Sequence, residues 1–183
     1  VQLNHQDISE VLVSPEQIQQ KVVELAAEID NHYKGGNVLC VGVLKGAVMF
    51  MADLLREMGE PVEMDWMAVS SYGSGTTSSG VVRILKDLDT DVLGRDVLIV
   101  EDIVDTGLTL SWLTANLKAR GAKSVEVVTL LRKPDAIKVE IDVRWVGFDI
   151  PNEFVVGYGL DYDEHYRSLK GVGILDPKVY RKK

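Results

Sequence analysis

The sequence predicts an α/β domain with a mostly parallel sheet, because short apolar segments alternate with longer segments of helical periodicity along most of the chain. Two details support this. The apolar segments are β-branched and apolar on both faces, as buried parallel strands are, and glycine closes the helical ones.

In chain order, Ser14-Pro15-Glu16-Gln17 opens a helix, with an N-cap serine, proline at the first helical position and glutamine three residues after the cap. Ile18, Val22, Leu25, Ala26 and Ile29 then recur at helical spacing until Gly35-Gly36 stops the pattern. Residues 38–44 read as a buried strand, and residues 46–58 as a helix closed by Gly59. Val62, Met64, Trp66 and Ala68 alternate with other residues at the strand period. Strands over 81–85 and 97–100, a helix over 109–120 ending at Gly121, and strands over 125–131 and 143–147 complete the series. With no internal repeat and no boundary, residues 1–183 read as a single domain. The run Ser70-Ser71-Tyr72-Gly73-Ser74-Gly75-Thr76-Thr77-Ser78-Ser79-Gly80 has nothing to pack, and between apolar strands it reads as a working loop rather than a linker.

Composition narrows the function classes. Apolar residues make up 46% and charged residues 26%, a soluble globular balance. The formal net charge of −8 argues against a nucleic acid or an anionic membrane surface as main partner, since both need broad positive fields. Small polyanions stay possible, because local cations, a metal and backbone N–H groups can hold them. No apolar run approaches the length of about 20 residues that spans a bilayer. Residues 1–7 carry no basic stretch leading into an apolar segment, so a cytoplasmic location is expected. Cys40, the only cysteine, sits in an apolar run and is expected to be a buried thiol. His5, His32 and His165 lack metal-ligand spacing, and Trp66, Trp112 and Trp145 read as packing residues.

In an open α/β sheet, ligands bind beyond the carboxyl ends of the strands. Val97-Leu98-Ile99-Val100 ends in Glu101-Asp102-Ile103-Val104-Asp105-Thr106-Gly107-Leu108-Thr109, so the acidic pair is expected to emerge at the end of the strand. The glycine-containing turn then enters a helix, where free N–H groups and two threonine hydroxyls make a cradle for a monophosphate. It has no P-loop lysine, so a nucleoside triphosphate is not the first expectation. Two carboxylates beside a phosphate would repel it unless they grip hydroxyls or a metal-bound sugar, and a ribose 5-phosphate supplies both partners. The bland alternative is a solvated acidic loop capping a helix through Asp105 or Thr106.

The string from Val97 through Gly107 resembles the phosphoribosyl pyrophosphate (PRPP) motif of type I phosphoribosyltransferases, closest to the branch that uses hypoxanthine and guanine. Leu44-Lys45-Gly46 resembles that family's pyrophosphate loop, where an unusual peptide bond frees backbone N–H groups. Ser71-Tyr72 opens a stretch similar to its lid. Lys133 matches the lysine that meets the purine 6-oxygen, and Phe154 through Tyr162, with Arg167, matches the base-stacking and metal-binding segment. The resemblance runs from about residue 3 to residue 180, with one departure: Leu108 stands where some relatives carry lysine.

The resemblance implies a parallel sheet flanked by helices, with a small hood built from the N- and C-terminal segments. It implies Mg²⁺-dependent transfer of the phosphoribosyl group from PRPP to hypoxanthine or guanine, giving IMP or GMP and pyrophosphate, by a homodimer or homotetramer. Asp105 would accept the purine proton. Glu101 and Asp102 would grip the ribose hydroxyls and join Asp161 around the metal. Thr106, Gly107, Leu108 and Thr109 would cradle the 5-phosphate, while Lys45 and Arg167 would bind pyrophosphate. Lys133, Phe154 and the Val155 carbonyl would select the base. The glycines of the lid, Gly73, Gly75 and Gly80, would let residues 71–80 close over the site. Two rivals remain at this point, a PRPP-sensing regulator without turnover and a transferase preferring xanthine.

Overall fold

The computed structural model describes residues 5–71 and 82–181. The elements are β1 (Ile8–Val13), α1 (Pro15–His32), β2 (Val38–Leu44), α2 (Val48–Glu57), β3 (Val62–Ser71), β4 (Val82–Lys86), β5 (Asp96–Val104), α3 (Leu108–Ala119), β6 (Ser124–Arg132), β7 (Trp145–Asp149), β8 (Val155–Val156), β9 (Val172–Leu175) and α4 (Pro177–Tyr180). Six strands form one sheet in the order β4-β3-β2-β5-β6-β7, parallel except for the edge strand β4. The chain ends supply a second, antiparallel sheet of three strands, β1-β9-β8, which is the hood.

Helix α1 starts as its cap requires. The Gln17 N–H donates to Ser14 Oγ at 3.1 Å, and the Ser14 N–H donates to Gln17 Oε1 at 2.8 Å. The five apolar residues at helical spacing are all buried. Alternation along β2 and β5 divides the core between the two faces of the sheet. Val38, Cys40, Leu98 and Val100 join α1 and α2 on one face, whereas Leu39, Val41, Val97 and Ile99 join α3 on the other. Fully burying such an aliphatic side chain contributes about 1.5–3 kcal/mol. Cys40 lies in the first of these layers, and burial pushes its thiol up to about 12, which makes it inert.

Strand β3 is covered on both faces, with Val62 and Trp66 half-buried against one core layer and Met67 in the other. Met64 is exposed, while Asp65 and Met67 are the buried residues. Asp65 is tolerated because it accepts backbone N–H groups from Trp66 at 2.8 Å, Asp89 at 3.0 Å and Thr90 at 2.8 Å. It thereby fastens the loop after β4 to the sheet.

Strand β5 is longer than expected. Its pairing with β2 stops at Val100, but its pairing with β6 continues through Glu101, Ile103 and Val104. The acidic pair therefore lies inside the strand rather than at its end, and Asp105 is the first residue beyond it. Among the described residues no helix is long and apolar enough to cross a membrane.

Candidate active site

The chain runs from β2 to β3 on one side, and from β5 to β6 on the other. The gap where pairing of β2 and β5 ends is thus the topological switch point of the sheet. The sequence-predicted residues gather at this carboxyl edge. Leu44 ends β2 and Lys45 and Gly46 follow it, residues 101–109 finish β5 and enter α3, and Lys133 follows β6. Ser71 is the last residue of β3, and Tyr72 and the remainder of the predicted lid lie outside the described residues.

A cavity of about 200 Å³ opens here, lined by Glu101, Asp105, Thr106, Gly107 and Thr109 over an apolar wall that includes Val43 and Val69. Gly107 caps α3 with φ of 84°, a conformation that glycine adopts without cost. The N–H groups of Leu108, Thr109 and Leu110 fall in the first turn of α3, where no residue four positions back can accept them. Thr106 Oγ1 takes that of Leu108 at 3.3 Å. The helix dipole adds to this donor-rich end.

The two carboxyls of the acidic pair lie close enough to interact with each other. Glu101 lines the cavity, whereas the Asp102 carboxylate lies against Gly46, where any Cβ would collide with it. Burial, and then the Asp102 charge, push the Glu101 carboxyl well above its usual range. Burial pushes Asp102 up as well, partly offset by the hydrogen bond from the Ile103 N–H at 2.7 Å.

In the unfolded chain a glutamate loses its proton at a pH of about 4.3, while the folded chain holds the Glu101 proton to higher pH. The folded state binds more protons in that window, so Glu101 makes stability fall as pH rises through it. Glu101→Gln, which stays neutral without binding a proton, is expected to raise the Tm of the ligand-free protein at neutral pH. Calorimetry checks this, and an unchanged or lower Tm at neutral pH would contradict it.

Lys133 is buried, with its side chain only 10% exposed, and its Nζ stands 3.7 Å from Asp105 Oδ2. The Lys133 N–H donates to the Val104 carbonyl at 2.9 Å, which joins the two strand ends that carry this pair. Arg132 fastens the neighbouring strand through a bidentate pair with Asp149, at 2.7 and 3.0 Å.

On the other side of the gap, the Leu44–Lys45 peptide is cis, an unusual bond at the position where one was expected. The Gly46 carbonyl lies against Gly159, whose φ is 98°. Arg167 Nη1 donates to the Gly159 carbonyl at 2.6 Å, and its Nη2 lies 3.4 Å from Asp161 Oδ1. Sequence reasoning missed Glu164, which bridges the two cations: Lys45 Nζ at 2.9 Å and Arg167 Nη2 at 3.0 Å. The Lys45 ammonium and then the Arg167 guanidinium hold its carboxyl below the usual range. Its only sequence signal is an acid three positions before an arginine.

Phe154 and Val155 are not drawn into these contacts. They belong to the hood, where Val155 is buried and Phe154 is 40% exposed. The Phe154 ring meets Tyr162 edge-on at 5.8 Å and Tyr180 at 5.2 Å between centroids. Tyr180 is a second residue that apolar periodicity could not indicate.

Comparison with known proteins gives one answer. Residues 12–163 match the family described as phosphoribosyl transferase domain. The chain is 59% identical to the hypoxanthine-guanine phosphoribosyltransferase of Mycobacterium tuberculosis strain H37Rv, over 96% of this chain and 90% of that protein. It is 56% identical to the Bacillus subtilis strain 168 protein of that name, over 95% of this chain and 97% of the other. A crystal structure of a hypoxanthine phosphoribosyltransferase from Staphylococcus aureus superimposes with a TM-score of 0.95, at 47% identity, covering 99% of this chain and 100% of that one.

Proposed function

Because this chain belongs to the phosphoribosyltransferase family, we propose that it serves purine salvage, transferring the 5-phosphoribosyl group of PRPP to hypoxanthine or guanine to give IMP or GMP and pyrophosphate. The observation that supports this best is the single cavity shared by Glu101, Asp105 and the Thr106-Gly107 turn at the switch point of the sheet.

The 5-phosphate accepts hydrogen bonds from the first N–H groups of α3 and from the hydroxyls of Thr106 and Thr109, with Leu108 contributing its backbone alone. Glu101 and Asp102 hold the ribose hydroxyls. Breaking the anomeric bond builds positive charge on the sugar and negative charge on the leaving pyrophosphate. Lys45, the adjoining backbone of Leu44 and Gly46, and Arg167 put donors where that negative charge grows. As the purine nitrogen attacks, Asp105 takes its ring proton. Lys133 donates to the 6-oxygen of the base, the Val155 carbonyl accepts from a guanine amino group, and Phe154 stacks on the ring. In this reading Ser71 and Tyr72 belong to the lid.

Mg²⁺ suits the donor set. Among the described residues no three His, Cys, Asp or Glu side chains gather as a metal cage, and oxygen ligands from one or two carboxylates plus phosphates and water are what Mg²⁺ takes. Asp161 would hold the ion, with Glu101 and Asp102 meeting it through the sugar. Bound there, it would neutralise charge on the pyrophosphate. The assembly proposed is a homodimer or homotetramer, in the cytoplasm.

An absorbance assay with PRPP, Mg²⁺ and hypoxanthine, guanine, xanthine or adenine tests the reading. Nucleotide should form with hypoxanthine and guanine. PRPP binding without turnover would contradict it in favour of a sensing protein, and preferred use of xanthine would correct the substrate.

A further inference from the structure

The loop carrying Asp161, Glu164 and Arg167 is irregular, with Tyr158, Asp163, Glu164 and Tyr166 all at positive φ. Its base is closed by the Tyr158 N–H donating to Leu169 O at 2.8 Å and the Gly159 N–H donating to Arg167 O at 2.9 Å. From that base the Tyr158 hydroxyl reaches helix α2, where it donates to Asp53 Oδ2 and lies 3.4 Å from Met49 O. Helix α2 begins directly after the Lys45-Gly46 turn, and the Val48 N–H donates to Lys45 O at 3.1 Å. The Tyr158–Asp53 bond therefore ties the Arg167 arm to the Lys45 arm.

We infer that Tyr158 and Asp53 are a positioning pair, whose hydrogen bond sets the spacing between the Lys45 turn and the Arg167 loop for pyrophosphate; this rests on the function proposed above. The ion pair Lys45–Glu164 also joins the two arms, but its side chains are 66% and 60% exposed, and exposed pairs contribute little. Tyr158 by contrast is buried at 8%. Burial, and then the Asp53 carboxylate, hold the phenol proton far above its usual range, so the hydroxyl stays a donor at every working pH. Neither side chain lines the cavity shared by Glu101 and Asp105, so both act through Gly159 and Arg167 and not on the purine.

The test compares Tyr158→Phe, Asp53→Ala, Asp53→Asn and the double variant Tyr158→Phe/Asp53→Ala with the wild type. KM is measured for PRPP and hypoxanthine in the forward direction and for pyrophosphate in reverse. Losing one hydrogen bond should raise KM for PRPP and pyrophosphate about three- to tenfold in Tyr158→Phe and Asp53→Ala. KM for hypoxanthine should stay within about twofold, Asp53→Asn should stay near wild type because it keeps an acceptor, and the double variant should be no worse than either single one. An unchanged KM for PRPP, an equal rise for hypoxanthine, or additive effects in the double variant would overturn the inference. If Tyr158→Phe does not fold, the contrast between Asp53→Ala and Asp53→Asn decides the same question. An inactive wild type would remove the functional reading and this inference together. An active wild type with unresponsive variants would remove this inference alone.

Discussion

Asp105→Asn is expected to lower kcat by about 10²–10⁴-fold, the range lost with a general base, while KM for PRPP changes little. Asparagine keeps the shape of the side chain and can accept a hydrogen bond, but it cannot take a proton from the purine. Nor can it carry the negative charge that faces the cationic sugar and Lys133, whose Nζ is 3.7 Å away. The position is set by main chain rather than by the carboxylate: β5 ends at Val104, and the Lys133 N–H is bonded to the Val104 carbonyl at 2.9 Å. The substitution should therefore leave the fold intact. Single-turnover measurement of nucleotide formation separates chemistry from product release, and a chemical step near the wild-type rate would remove Asp105 from the role of base.

Lys133→Met should erase the preference for 6-oxo purines. The lysine is buried against the strand end, and methionine fills similar space without charge or donor. A 6-oxo purine would then bury its oxygen unpaired, at a cost of about 1–3 kcal/mol, which corresponds to roughly 5–150-fold in kcat/KM. Adenine would no longer confront a lysine that has no acceptor, so the ratio of hypoxanthine to adenine kcat/KM should fall by a similar factor. Measuring kcat/KM for both bases in both proteins checks this. A ratio unchanged by the substitution would assign Lys133 to packing and ion pairing with Asp105 alone.

Much of this site is legible in the sequence, because its donors and acids follow apolar runs whose periodicity locates strand ends. Ser14 and Gln17 form the cap that their types demand, and residues 38–44 form β2 with the bounds their pattern gives. Two acids conceal the true end of β5. Apolar pattern stops at the first charge, yet β6 continues as a hydrogen-bonding partner to Arg132, so Glu101 and Asp102 are carried within the strand. Their burial, which raises both carboxyls, depends on tertiary cover and leaves no trace in local sequence.

Other misses share this cause. Asp65 looks like an ordinary polar residue of β3 until the N–H groups of Asp89 and Thr90, more than twenty positions away, are brought to it. Glu164 and Tyr158 likewise gain meaning from Lys45 and Asp53, which are 119 and 105 positions distant. The short hood strands β8 and β9 carry too few residues for a period to register, so only the resemblance indicated the hood. The roles proposed for Lys133, Phe154 and Arg167 also came from the resemblance, since each taken singly reads as a surface charge or a packing residue.

The central claim is that one strand end brings a sugar-gripping acid, Glu101, a proton acceptor and a phosphate-holding turn to the same cavity, with Asp102 beside it. A crystal structure with IMP or GMP bound tests it most directly. The 5′-phosphate is expected within hydrogen-bonding distance of the backbone N–H groups and hydroxyls of residues 106–109, with the ribose hydroxyls on Glu101 and Asp102. A phosphate seated elsewhere on the molecule, with that turn untouched, would contradict the claim.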